Sequence, residues 1–228
     1  MSELVAIRRK IRIQAISVGL AVAPFGAAFG ALCTEAGLGT WEALGFSSLV
    51  FGGSSQFAAV TVLAEGGTII AAVIAGLLLN LRSLAFGVAM APSLQGSLLW
   101  RALTSQLMID EATAVGSSQE SHSLRRYGYI WAGLSVFVFW NFMTWVGVAL
   151  LSGTGTLIQD LGIDATIPAA FLGLVWPKLS SKEHQIIAGV GAALAFLLVP
   201  FVPPGIPVIA AASAVLLLRP WKKRSSHE

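Results

Sequence analysis

The chain has 228 residues, of which 56% are hydrophobic and only 11% charged, with a mean hydropathy of +0.80. Soluble domains carry about 25% charged residues, so the composition excludes a water-soluble fold and leaves an all-α, polytopic membrane bundle. The formal charge of +3 sits largely at the ends, in Arg8, Arg9, Lys10 and Arg12 and again in Arg219, Lys222, Lys223 and Arg224; basic clusters flanking apolar helices are topology signals rather than nucleic-acid surfaces.

Taken in order, the first apolar segment runs over Ile11–Leu32, too long for the apolar core of a signal peptide. It reads as an uncleaved membrane helix preceded by a basic tail, residues 1–10. Pro24 suggests a kink, and Gly26 and Gly30, four apart, give a smooth face for close packing. The single cysteine, Cys33, has no partner for an intrachain disulfide. Segment two, Ala43–Ala64, is interrupted by Phe51-Gly-Gly-Ser-Ser-Gln-Phe-Ala-Ala59. Gly52 and Gly53 each weaken a helix by roughly 1 kcal/mol, and Ser54, Ser55 and Gln56 bring polar groups that hydrocarbon cannot satisfy. A broken helix near 51–56 follows. One reading is a small-residue packing patch. The other is a half-helix starting near Ser54 whose free N–H groups and positive dipole end hold an anionic group.

Segment three, Thr68–Ala91, carries Asn80 and Arg82, two apart and hence on roughly opposite faces, with Ser83 sharing the Asn80 face. Segment four, Ser97–Ser118, contains Arg101, Asp110 and Glu111. Read as one continuous helix, it lines up Gln106, Asp110, Thr113 and Ser117 as a polar stripe. A charge at a helix centre costs about 2.5–3.5 kcal/mol even on insertion scales, so Arg82, Asp110 and Glu111 should face the bundle interior or pair. Two roles are open for them: a register-fixing Arg82–Asp110 pair, or substrate and proton coupling. Segment five is Gly128–Ser152, where Asn141 and Thr144 read as interhelical packing groups. Segment six is a short run, Thr166–Leu179; segment seven is His184–Phe201; segment eight is a second short run, Ile206–Leu218, followed by a basic tail, 219–228. The two short runs fall below the ~17 residues needed to span upright.

Lys and Arg favour the cytoplasmic side. Eight crossings place the N-terminus, Arg125-Arg126, Lys178 with Lys182 and the C-terminus inside, and the bare stretches Cys33–Thr40, Gly153–Ala165 and Val202–Gly205 outside. Dropping segment four breaks this alternation unless segment two is re-entrant. The expected total is seven to eight membrane segments in a single domain over 1–228. Trp41 and Trp100 then mark outer ends, and Tyr127, Tyr129, Trp176 and Trp221 inner ends, as an interfacial belt. Enzyme signatures are absent: there is no Gly-x-Ser-x-Gly, no His-Glu-x-x-His, no P-loop and no cysteine cluster, and His122, His184 and His227 are too scattered for a metal site. No enzyme activity, cofactor or metal is expected.

Four strings, Phe51-Gly-Gly-Ser-Ser-Gln-Phe-Ala58, Asn80-Leu-Arg82, Met108-Ile-Asp-Glu-Ala112 and Leu161-Gly-Ile-Asp-Ala-Thr-Ile-Pro-Ala-Ala-Phe171, occur in an order that resembles the azaleucine-resistance (AzlC-type) family. The resemblance implies a large subunit that works with a small AzlD-like membrane partner of about four helices. It implies export of branched-chain amino acids, with valine, leucine, isoleucine or methionine as substrates, across the bacterial inner membrane, with both termini cytoplasmic. A proton-coupled secondary transporter is the expected class; an ATP-linked permease subunit or a passive solute channel is the alternative. In that setting Gly52–Gln56 would receive the α-carboxylate, with Asn80 and Arg82 among the binding residues. Asp110 would take the ammonium group or a coupling proton, balanced by Arg82, with Gln106, Glu111 and Thr113 along the polar path. Phe51 and Phe57 would border the apolar side chain.

Overall fold

The computed structural model describes residues 2–151, 172, 176, 179–202 and 206–218. Most of segment six, the Leu161–Phe171 string, Lys178 and the C-terminal tail lie outside the described residues. All regular structure among the described residues is helical: α1 (Ser2–Glu35), α2 (Thr40–Leu49), α3 (Ser54–Ala64), α4 (Ile69–Asn80), α5 (Arg82–Met90), α6 (Leu98–Ser105), α7 (Asp110–Ser117), α8 (His122–Leu151), α9 (Lys182–Leu198) and α10 (Ile206–Leu218). Among the described residues, three stretches are long and apolar enough to cross a membrane: Glu3–Glu35, Ile69–Met90 and His122–Leu150. The basic segment expected as a tail is the first turns of α1, which also continues through Pro24.

Helices α1 and α8 form the spine and run parallel. The Arg8 guanidinium covers the Tyr127 ring, and Arg12 covers Trp131 one turn further along. Gly26 meets the Trp140 backbone, and Gly30 that of Thr144. A Cβ on Gly30 would collide with the Thr144 carbonyl and one on Gly147 with the Ala27 carbonyl, so the close approach depends on their missing side chains. The packing face expected of Gly26 and Gly30 is this contact.

Segments two and four are helical hairpins that enter the bundle from opposite ends. In the first, Phe46 of α2 and Phe57 of α3 both lie against Phe29, at 6.1 and 5.6 Å between ring centroids, so the chain reverses between them. Its tip, at Phe51, packs edge-on against Phe137 midway along α8. In the second, Arg126 lies over Trp100, the Tyr129 hydroxyl donates to the Thr104 carbonyl at 2.7 Å, and Leu107 faces Gly133. Then α7 returns, with Ala112 beside Gly133 and Val115 beside Gly128. Between the two hairpins α4 and α5 run as one antiparallel crossing, because Leu81 between them keeps right-handed helical angles. Gly76 lies against Ser55, Gly87 against Met108 and Met90 against Gly116.

This corrects two expectations. Segment four does not run from one end of the bundle to the other: residues 92–97 and 119–126 lie at the same end, where Arg126 reaches both Trp100 and the Gln95 carbonyl. Trp100 therefore belongs to the basic end rather than the far one. Segment two likewise enters and leaves at one end of the bundle, the arrangement under which the expected loop alternation can hold without segment four as a crossing. Tyr129, expected in the interfacial belt, is fully buried with its hydroxyl satisfied by Thr104. Charge divides accordingly. From residue 2 to 151, every Lys and Arg except Arg82 sits at the end holding the α8 N-terminus, whereas Glu35, Glu42 and Glu65 mark helix ends at the other.

Candidate functional site where the two hairpin tips meet

Each tip is a helix break whose backbone groups need partners, since hydrocarbon offers none. At the first tip Gly53 takes φ +57°, a conformation that favours glycine, and α3 starts at the next residue, as the sequence predicts. Gln56, fully buried, closes the break from both sides. Its Oε1 accepts from the N–H groups of Gly53 (3.1 Å) and Gly52 (3.4 Å), and its Nε2 donates to the carbonyls of Phe46 (3.0 Å) and Ser47 (3.1 Å). The Gly52 and Gly53 amides expected to receive a carboxylate are thus held by the chain's own side-chain amide. The Ser54 and Ser55 amides, first in the helix, form no backbone hydrogen bond among the described residues.

The second tip supplies the rest of the cap. Gln106, just past the end of α6, donates through Nε2 to the carbonyls of Ser48 (2.7 Å) and Leu49 (3.1 Å). The four-residue polar stripe is therefore corrected. The chain leaves helical geometry between Ser105 and Asp110, with Ile109 extended at φ −134°, ψ 170°. Gln106 thus serves the neighbouring hairpin, while Asp110, Thr113 and Ser117 remain on α7. Asp110 and Glu111 occupy its first turn, where the positive dipole end favours carboxylates.

Arg82, at the α4–α5 junction, joins both tips. Nη1 donates to Asp110 Oδ2 at 2.8 Å, and Nη2 donates to the Gly52 carbonyl at 3.2 Å. The ion pair is about 70% buried, as the cost of a lone charge at this depth demands. Asn80 lies on the other side of that junction, where its Oδ1 accepts from Ser83 Oγ at 2.8 Å. The expected sharing of a face by Asn80 and Ser83 is this bond. Thr113 is buried, and its hydroxyl has no hydrogen-bond partner among the described residues.

The structure thus gathers Gly52, Gly53, Ser54, Ser55, Gln56, Arg82, Gln106 and Asp110 at one junction, with Glu111 beside Asp110 and Asn80 at its edge. It does not put Phe51 and Phe57 on a pocket. Phe57 is wholly enclosed by Phe29 and Trp140, and Phe51 is buried on Phe137. Thr144 bonds Ser47 at 3.2 Å and Asn141 bonds its own helix, as packing groups would. Sequence reasoning missed a cavity of about 390 Å³ between α2, α3 and α4, lined by Phe46, Val50, Ala59, Ala72 and Gly76 and reaching Ser55 and Asn80. No cluster of metal-ligating side chains occurs among the described residues.

The AzlC protein family model matches residues 17–153, which hold both hairpins and the whole junction. An uncharacterized membrane protein of Archaeoglobus fulgidus is 30% identical over 226 residues, 95% of either chain. Inner membrane protein YgaZ of Escherichia coli is 25% identical over 187 residues, 76% of this chain and 74% of its own. No solved structure matches. With the family model covering more than half of its length and a relative matching it end to end, the chain is a membrane protein of the AzlC family.

Proposed function

We propose that the protein is a proton-coupled secondary transporter that exports branched-chain amino acids, valine, leucine, isoleucine or methionine, as the large subunit beside a small membrane partner. The observation that carries this reading is the Arg82–Asp110 pair held between two opposed hairpin tips midway along α8. Broken helices with mid-membrane charges are how transporters build solute sites. In the mechanism, the α-carboxylate approaches the Ser54 and Ser55 amides at the α3 N-terminus. Asp110 exchanges Arg82 for the substrate ammonium or a proton, and Glu111 and Thr113 continue the polar path along α7. The basic end of the bundle faces the cytoplasm of a bacterial inner membrane, by the preference of Lys and Arg for that side.

The test is labelled-leucine flux in proteoliposomes containing the chain and the small subunit, with and without an imposed proton gradient. The gradient should drive flux through the wild type. Asp110→Asn should lose that gradient dependence while the protein remains folded. Steep gradient dependence retained in Asp110→Asn would remove Asp110 from coupling.

A further inference from the structure

The α2–α3–α4 cavity lies beside the hairpin junction and differs from it in character. Its walls are almost wholly apolar, and its polar groups are Ser55 and Asn80, with Glu42 elsewhere on the lining. Ser55 is 2% exposed, and its hydroxyl has no hydrogen-bond partner among the described residues. A buried hydroxyl left unpaired is costly, so a group that reaches it gains a waiting donor and acceptor. The Asn80 side chain uses its oxygen for Ser83 and forms no bond through its amide nitrogen among the described residues. Small side chains make the space. Ala59 and Ala72 are buried in the wall, and at Gly76 an added Cβ would come within 3.3 Å of the Ser55 carbonyl. On the open side Val73 is 52% exposed. About 390 Å³ is at the small end of the roughly 300–1,000 Å³ of ligand pockets.

We propose that this cavity takes the aliphatic side chain of the transported amino acid, with Ser55 and Asn80 holding the polar end of the ligand. The inference rests on the amino-acid transport reading above and goes further, because it assigns side-chain selectivity to α2, α3 and α4. An apolar wall with two polar groups, Ser55 and Asn80, at one place is complementary to a small aliphatic zwitterion. The Ser55 and Asn80 end adjoins Gly52, whose carbonyl is held by Arg82.

The experiment is competition of unlabelled leucine and alanine against labelled-leucine flux in proteoliposomes of the full chain with its small subunit. Wild type is compared with Ser55→Ala, Val73→Trp and, as a control on the lipid-facing side of α8, Val138→Trp. Ser55→Ala removes an unpaired hydroxyl, so its melting temperature should equal or exceed that of the wild type. Its half-inhibitory leucine concentration should nevertheless rise about tenfold, the value of one lost hydrogen bond. Val73→Trp should narrow the cavity and lower the leucine-to-alanine preference by about tenfold, while Val138→Trp leaves the preference at the wild-type value. Wild-type leucine transport with unchanged affinity in Ser55→Ala and unchanged preference in Val73→Trp overturns the cavity assignment and leaves the transport reading standing. That result would also be expected of a lipid chain seated there. Absence of leucine flux in the wild type with its partner present overturns both.

Discussion

Gln56 makes four contacts that no smaller or apolar residue can replace together. Gln56→Leu leaves two amide N–H groups and the Ser47 carbonyl of the first break without their side-chain partner, while the Phe46 carbonyl keeps only the Val50 N–H. The expected loss is about 3 kcal/mol of stability, given roughly 1–3 kcal/mol for each buried polar group left unpaired and partial rescue by water. Ser54→Ala, whose side chain caps nothing, should stay within about 0.5 kcal/mol. Thermal unfolding of the two variants in detergent micelles separates them; equal melting temperatures would show that Gln56 does not hold the break. Arg82 belongs to a different class of residue. Removing one member of a half-buried ion pair strands the other, which costs more than replacing both.

At the scale of elements, the re-entrant reading of α6 and α7 is open to direct labelling. In a Cys33→Ala background, Gln95→Cys and Glu120→Cys should react with a membrane-impermeant maleimide from the same face of oriented vesicles. Reaction from opposite faces would restore segment four as a full crossing. The two hairpins were unequally legible in the sequence. The first advertises its tip through Gly52-Gly53 followed by Ser54, and α3 begins where that pattern says. The second has no Gly or Pro from Leu98 to Val115 and, at about 22 residues, the length of a span. Its break is made by tertiary bonds, Gln106 to the α2 carbonyls and Arg82 to Asp110, which periodicity does not report. The one local sign was Asp110-Glu111, a carboxylate pair suited to a helix start. The cavity was illegible for a related reason, since Ala59, Ala72 and Gly76 are unremarkable membrane residues until three helices are set side by side.

For the whole molecule, stability turns on how closely α1 and α8 approach. Gly30→Ala places a methyl group into the Thr144 carbonyl and should lower the melting temperature. Gly45→Ala, in α2 with open space around its Cβ position, should raise stability by about 0.5–1 kcal/mol through helix propensity. Opposite signs from one chemical change would locate the spine. Equal effects would deny it. The arrangement also makes Arg82 a latch between two doors. It stands on the fixed crossing helix and grips each hairpin once, with a charge-assisted bond of 2.8 Å on one side and a longer bond to a neutral carbonyl on the other. The grips are unequal, and Gln106 ties the hairpins together twice more through the Ser48 and Leu49 carbonyls, so loss of the Arg82 guanidinium alone leaves the two tips fastened to each other.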